Sequence, residues 1–257
     1  MNEPPILCAD GVSKRFGQRA ACADVSFEVY AGEVVAFVGE SGSGKSTLLR
    51  CVSGQLRPDA GGVRFAARHD GLVDLWAIGE ARRRFYARTE FGFVHQNPRD
   101  GLRAGVSAGA NIGERLMAVG ERHYGRIRAA AVHWMDRVEL DVRRLDERPE
   151  HFSGGMQQRL QIARNLVNAP RLVFMDEPTS GLDVSVQARL LDLLRRLVHD
   201  MALAVVLVTH DLAVARLLSQ RLYVMRAGAV VESGLTDQVL DDPQHPYTQL
   251  LVSSALT

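Results

Sequence analysis

Two neighbouring carboxylates, Asp176 and Glu177, end an apolar run, Leu172-Val173-Phe174-Met175, that reads as a buried strand. Acids at the C-terminal edge of a parallel strand stand where ligands of open α/β sheets bind. A pair there suits metal-assisted hydrolysis. One would help hold Mg²⁺ on phosphate oxygens, and the other would orient or deprotonate a water. Upstream, Ser153-Gly154-Gly155 stands just before a helical run. A serine hydroxyl and glycine N–H groups at a helix N-terminus favour an anion such as a γ-phosphate. The plainer alternative is a glycine-rich loop followed by a core strand that ends in acids.

A second constellation decides the ligand class. Glu33 to Val38 reads as a buried strand, followed at once by Gly39-Glu40-Ser41-Gly42-Ser43-Gly44-Lys45-Ser46. This is a complete G-x-x-x-x-G-K-[ST] in strand–loop–helix context. Glycines let backbone N–H groups curl around phosphates without Cβ clashes. Lys45 can reach the β- and γ-phosphates, and Ser46 can ligate Mg²⁺. The motif specifies a nucleoside triphosphate but not the use made of it.

Three further residues have two readings each. Gln96 ends the strand Phe91 to Gln96 and enters a loop, where it either senses Mg²⁺ or the attacking water or is a plain loop glutamine. His210 follows the continuous apolar strand Ala204 to Thr209, where it either contacts a γ-phosphate or is structural. Phe16, in Ser13-Lys14-Arg15-Phe16-Gly17, is either an exposed platform for a purine ring or a core aromatic.

The elements that must position these groups follow from periodicity. Ile6 to Ala9 and Val25 to Tyr30 read as strands on either side of the Ser13–Gly17 stretch, and Gly61 to Phe65 and Leu72 to Leu75 as short strands or a hairpin. Arg82-Arg83-Arg84 lies on a helix, as a solvated face or a nucleic-acid patch. Asn97 to Leu102 is irregular, Ile112 to Val119 helical, and Ile127, Ala131, Trp134 and Val138 fall at helical spacing with Trp134 in the core. Residues 98–166 therefore read as a helical insertion between two strands of a parallel sheet. Val184 to His199 is an amphipathic helix. Arg221 to Met225 and Ala229 to Glu232 form a hairpin around Ala227-Gly228, and a short helix begins after Pro246.

Composition bounds the class. The chain has 257 residues, 46% hydrophobic and 24% charged, as expected of one large globular domain. Thirty-one basic against thirty acidic residues leave +1, which gives no global reason to bind nucleic acid. Cys8, Cys22 and Cys51 lack metal-ligand spacing and read as free thiols of a reduced, cytosolic chain. Met-Asn-Glu-Pro-Pro lacks the basic and apolar regions of a signal peptide, and no apolar run suits a membrane span, so a membrane role would need another chain to cross.

Together these segments resemble the ATP-binding-cassette (ABC) ATPases along nearly the whole chain. The match covers the P-loop at Gly39 to Ser46, the Gln-loop at Gln96, the signature at Ser153-Gly154-Gly155, the acidic strand ending in Asp176-Glu177, the D-loop at Ser180-Gly181-Leu182-Asp183 and the switch histidine His210. P-loops are widespread, but the signature just upstream of this acidic strand is highly specific. The resemblance implies a P-loop NTPase of α/β class with a mostly parallel core sheet, an N-terminal antiparallel β part and an inserted helical subdomain, all one domain over 1–257. It implies an ATPase using ATP and Mg²⁺. Phe16, the P-loop residues from Gly39 to Ser46 with Thr47, Ser153, Gly154, Gly155 and Asp183 would bind nucleotide. Ser46, Gln96 and Asp176 would serve Mg²⁺, and Glu177, His210, Gln96 and Lys45 would serve hydrolysis. It also implies a head-to-tail pair, in which Ser153 and Gly155 act on the ATP held by a second cassette. Three positions depart from the family pattern: Met156 stands for the usual glutamine, Phe152 for a frequent leucine and Phe16 for the usual tyrosine.

A narrower resemblance rests on Val94 to Arg103 and Gly113-Glu114-Arg115-Leu116-Met117. These look like the ABC subunits associated with bacterial carbon–phosphorus lyase. They are joined by Phe152 to Asn165, Val184 to Leu194 and Val231 to Leu240. Dipeptide and oligopeptide importer ATPases are neighbours and share the His245-Pro246-Tyr247-Thr248 pattern. After the Gln-loop those importers usually carry a threonine-serine-leucine-asparagine-like run, where this chain has Asp100-Gly101-Leu102-Arg103. The implied partners are therefore a second cassette and soluble carbon–phosphorus lyase core subunits, or alternatively a membrane permease, with no nucleic acid.

Overall fold

The computed structural model describes residues 4–255; Met1 to Glu3, Leu256 and Thr257, which the domain span includes and the N-terminal reading touches, lie outside the described residues. Among the described residues the strands form two sheets. The first is antiparallel, in the order β2-β1-β4-β5, with β1 Leu7–Phe16, β2 Arg19–Val29, β4 Ala60–Ala67 and β5 Gly71–Asp74. The second runs β10-β9-β3-β8-β7-β6, with β3 Val34–Val38, β6 Phe91–Val94, β7 Leu172–Asp176, β8 Ala204–Val208, β9 Arg221–Arg226 and β10 Ala229–Leu235. Its pairs from β9 to β6 are parallel, and β10 closes one edge antiparallel.

The central sheet divides the core by strict alternation. Val34, Ala36 and Val38 of β3, Val173 and Met175 of β7, and Val205 and Leu207 of β8 enter one apolar cluster. Val35 and Phe37, Leu172 and Phe174, and Ala204, Val206 and Val208 enter the other. A strand covered on both sides has no polar face, which is why these runs are unbroken Val, Leu, Ala, Phe and Met up to Asp176. The second face packs under the antiparallel sheet and helix α1 (Lys45–Val52), with Phe27 and Phe37 edge to face at 4.8 Å between ring centres. The first face packs against α7 (Val184–Met201), whose Leu190, Leu193, Leu194 and Leu197 are buried, and against α8 (Leu212–Leu218).

Between β6 and β7 lie α3 (Pro98–Gly101), α4 (Ala108–Ala118), α5 (Tyr124–Arg137) and α6 (Gly154–Leu166). Trp134 is buried at their core, with the Arg137 guanidinium 4.8 Å from its ring centre. Gly113 lets α4 and α5 approach closely, since a Cβ there would lie 2.5 Å from Ile127 Cγ2. α2 (Glu80–Thr89) carries Arg82, Arg83 and Arg84; Arg82 pairs with Asp70, Arg84 with Glu80, and Arg83 lies over Trp76. The chain ends in α9 (Thr236–Asp241) and α10 (Pro246–Ala255).

Several sequence boundaries are corrected. Ser13 to Phe16 does not separate two strands but completes β1, and the turn falls at Gly17-Gln18. Register shifts between Ala9 and Val12 and again near Lys14 break the alternation that would have revealed it. Asn97 to Leu102 contains α3, capped by the Asn97 side chain, which accepts from Arg99 N–H. Cys8, Cys22 and Cys51 are all free thiols, and among the described residues no helix is long and apolar enough to cross a membrane.

Candidate nucleotide site

The loop after β3 is built around glycines that nothing else can replace. Gly39 has φ 143°, and a Cβ there would lie 2.2 Å from the Met225 carbonyl oxygen. Gly44 has φ 107°, and its Cβ would lie 1.8 Å from the Ala21 carbonyl oxygen. Both obstacles are backbone and cannot swing aside. The loop delivers Lys45 to the first position of α1, where it is 4% exposed. Its ammonium donates to the carbonyls of Gly39 (2.7 Å) and Glu40 (2.9 Å) and to Ser43 Oγ (3.3 Å). Burial pulls its pKa below the usual lysine range, and the carboxylates of Glu177 and Asp176 pull the other way. A buried cation resting on neutral carbonyls is set to exchange them for an anion.

The acid pair poses a geometric problem, since successive strand residues point to opposite faces. Asp176 ends β7 and accepts from Ser46 Oγ at 2.9 Å, which ties the strand to the phosphate loop. Burial raises its pKa above the ordinary carboxylate range, partly offset by that hydrogen bond. Glu177 leaves the strand with φ 46°, in the left-handed region that a non-glycine residue enters at a cost of about 1–3 kcal/mol. Its N–H donates to Val208 O (2.8 Å), and its carbonyl accepts from Ser180 N–H (3.1 Å). Past this turn Glu177 lines the cavity, while Asp176 stays on Ser46. Glu177 then meets Gln96 Nε2 at 3.0 Å and His210 Nδ1 at 3.1 Å. Gln96 Nε2 also donates to Ser180 Oγ at 3.2 Å.

These groups surround an open cavity of about 620 Å³. Lys45, Ser46, Thr47, Gln96, Glu177 and His210 line it together with Ser41, Gly42 and Gly44. Phe16 lines it too and is 55% exposed, so it is not a core aromatic. Asp176 lies behind Ser46, while Gly39, Glu40 and Ser43 hold Lys45 rather than face the space. Hydroxyl and carboxylate oxygens at Ser46 and Asp176 are the hard donors that Mg²⁺ takes, and Mg²⁺ normally keeps phosphate oxygens and waters as its other ligands. The donor set therefore fits that ion without a cage of protein ligands.

Sequence reasoning missed Arg19 and Ala21 in the lining and did not place Ser180 there. Arg19 donates to the Gly42 carbonyl at 2.8 Å; a lone arginine outside any motif carries no signal. It also missed the clamp between α6 and the edge strand β6. Asn165 Oδ1 accepts from Phe93 N–H (3.0 Å) and Gln161 Oε1 from His95 N–H (2.6 Å). Gln158 and Gln161 amides both donate to the His95 carbonyl (3.3 and 3.2 Å). The spacing 158, 161, 165 puts these polar groups on one helix face, which was the available signal.

Ser153, Gly154, Gly155 and Asp183 stand apart from this cavity. Ser153 caps α6, its Oγ accepting from Met156 N–H at 3.4 Å, and Asp183 begins α7. Gly155 lets α6 abut α7: a Cβ there would lie 2.5 Å from Val186 Cγ1.

A sequence model of the family described as ABC transporter matches residues 22–180, from within β2 through the phosphate loop and signature to the turn after the acidic strand. The chain belongs to the ABC transporter family. It is an ABC-type ATPase. An ATP-binding protein of Escherichia coli (strain K12) named for phosphonates utilization, PhnK, is 61% identical over 256 residues, covering 100% of this chain and 99% of that one. A Brucella melitensis ATP-binding protein named for peptide import is 39% identical over 269 residues, covering 99% of this chain and 78% of that one. The ATP-binding cassette MJ0796, in a dimeric post-hydrolysis structure bound to ADP and Pi, superposes with a TM-score of 0.79 at 29% identity, covering 90% of this chain and 98% of that one. In this ABC cassette the two departures at the signature form one packing unit. The Arg144 guanidinium lies 4.4 Å from the Phe152 ring centre and donates to Met156 Sδ at 3.5 Å.

Proposed function

We propose that this ATPase works as half of a head-to-tail pair of cassettes and energises a carbon–phosphorus lyase-type phosphonate-degrading complex in the cytoplasm. The observation that carries the first part is the separation of the two phosphate-binding devices. Lys45, Ser46, Gln96, Glu177 and His210 share a cavity, and Ser153 to Gly155 lie outside it. An open cavity lined on one side by phosphate ligands needs a lid with N–H donors, and the α6 N-terminus of a second cassette supplies that chemistry.

ATP is the substrate this cavity fits. Phe16 stacks the adenine, the loop from Ser41 to Thr47 wraps the phosphates, and Lys45 leaves the loop carbonyls for the β- and γ-phosphates. Ser46 and Asp176, with Gln96, would hold Mg²⁺, which when bound would supply charge neutralisation on the phosphate oxygens. Glu177 accepts a proton from, or orients, the attacking water. His210, 3.1 Å from its carboxylate, fixes that orientation. Gln96 bridges Glu177 and Ser180, so its departure or return reports the state of the catalytic acid to α3, which begins two residues on.

The phosphonate assignment is supported by the level of identity to PhnK over the full chain, against 39% to the peptide-import relative. It is supported too by Asp100-Gly101-Leu102-Arg103, the end of α3 and the residues after it, in the segment that follows Gln96. Affinity purification from phosphonate-grown cells, with mass spectrometry of the co-purifying chains, tests it. Recovery of lyase subunits is expected; recovery of a membrane permease alone would instead make the chain an importer's energising subunit.

A further inference from the structure

The C-terminal helix reaches the phosphate loop. Tyr247, on the first turn of α10 and 4% exposed, accepts a hydrogen bond on its hydroxyl from Glu40 N–H at 3.1 Å. That N–H belongs to the peptide joining Gly39 and Glu40. The other end of the same peptide, the Gly39 carbonyl, receives Lys45 Nζ at 2.7 Å. A peptide is a rigid plane, so holding its C=O and its N–H fixes its orientation. The plane needs fixing, because Gly39 sits at φ 143°, a region where glycine is free to rotate.

The two clamps differ in what happens when nucleotide arrives. Lys45 must leave the Gly39 carbonyl to reach phosphate. Tyr247 has no such duty and stays. Its ring is packed beneath the Arg226 guanidinium, 4.8 Å from the ring centre, at the end of β9. The turn before α10 is tied to β10, with Gln244 N–H and His245 N–H donating to the two Glu232 carboxylate oxygens at 2.8 and 3.0 Å. His245 Nδ1 in turn accepts from Tyr247 N–H at 3.1 Å. The tail is therefore anchored to the sheet independently of the loop it holds.

We propose that Tyr247 is a positioning residue for the ATPase site: its hydroxyl holds the Gly39–Glu40 peptide in the ATP-binding orientation once Lys45 has moved to the phosphates. It gives the His245-Pro246-Tyr247-Thr248 segment a role in nucleotide binding rather than in partner choice. A loop that is held needs no ordering on binding, so loss of the hydroxyl appears as weaker binding rather than slower chemistry.

The inference rests on the nucleotide reading of the cavity, and one titration separates the two. Fluorescent ATP binding and steady-state hydrolysis are measured on full-length wild type, Tyr247→Phe, Glu232→Gln and Gln249→Ala. Wild type binds if the cavity reading is right; a wild type that does not bind overturns that reading and this one with it. Tyr247→Phe, which keeps the ring, should weaken ATP affinity and raise KM about three- to tenfold, the scale of one hydrogen bond, with kcat and thermal midpoint close to wild type. Glu232→Gln, which loosens the anchor alone, should shift affinity the same way by less. Gln249→Ala removes only the α10 bond to the Pro243 carbonyl and should leave affinity unchanged. ATP affinity equal to wild type in both Tyr247→Phe and Glu232→Gln would overturn the proposal, as would a Gln249→Ala variant as weak as Tyr247→Phe.

Discussion

The carboxylate proposed as the catalytic base belongs to a residue held in a conformation it would not choose. Glu177 at φ 46° places its side chain between Gln96 and His210, while Asp176 stays behind Ser46. The two acids therefore have separable duties, and substitution should separate them. Glu177→Gln keeps shape and removes the base, so ATP binding should persist, closed pairs should accumulate and phosphate release should fall by about 10²–10⁴-fold. Unchanged turnover in an assembled pair would reassign the base. Asp176→Asn should act on stability as well. Burial raises the Asp176 pKa in the folded chain, so ionising it costs more there than in the unfolded chain. The penalty is absent at low pH, where both forms are protonated, grows as pH rises through the shifted value and persists above it. Asparagine removes the charge and can still accept from Ser46. Nucleotide-free Asp176→Asn should therefore melt a few degrees above wild type at neutral pH, the gap closing as pH falls into the ordinary carboxylate range, while Mg²⁺-dependent turnover is lost. A thermal scan across pH reads both ends of that curve.

At the scale of elements, what was legible in the sequence was what contiguous residues encode. The apolar runs of β3, β7 and β8 announce strands covered on both faces, and the phosphate loop, Ser153-Gly154-Gly155 and Asp176-Glu177 are each local strings. What was not legible depends on partners far along the chain. β1 extends to Phe16 through bulges that erase its period. Gln158, Gln161 and Asn165 look like an ordinary polar helix face until β6 is known to be the sheet edge whose N–H groups they satisfy. α8 and α9 are too short for a periodic signal to stand out. Gly155 is a case where one string serves two elements. It belongs to the signature, and it also lets α6 touch α7 at Val186. A β-branched side chain in a helix has little rotamer freedom to yield. Gly155→Ala should destabilise the fold by about 1–3 kcal/mol, read as a lower thermal midpoint, and Val186→Ala in the same chain should restore most of it. Failure of the second change to rescue would place the clash elsewhere.

For the whole molecule, the decisive geometry is an open cavity and a signature helix whose N-terminus lies outside its lining. Ser153 caps α6 within its own chain, its oxygen accepting from Met156 N–H, which leaves its O–H and the glycine N–H groups at the helix end as donors. Two copies related by a twofold axis would give two identical composite sites, each with Lys45 from one copy and Ser153 from the other. That arrangement makes a prediction no self-contained site can imitate. Ser153→Ala chains lack a working signature but keep the phosphate loop. Lys45→Ala chains lack the loop function but keep the signature. Each preparation alone should be nearly inactive, while Ser153→Ala should bind ATP as wild type does. Mixed in equal amounts, random pairing makes half the dimers hybrids, and each hybrid has one site in which an intact loop meets an intact signature. The mixture should recover roughly a quarter of wild-type phosphate release. A self-contained site gives no recovery, because every chain in the mixture is still defective, and the same flat result would mean that the second cassette is not another copy of this chain. Both outcomes are read in one assay, with thermal midpoints of the two variants measured alongside to show that the lost cap at α6, worth about 1 kcal/mol, has not unfolded either protein.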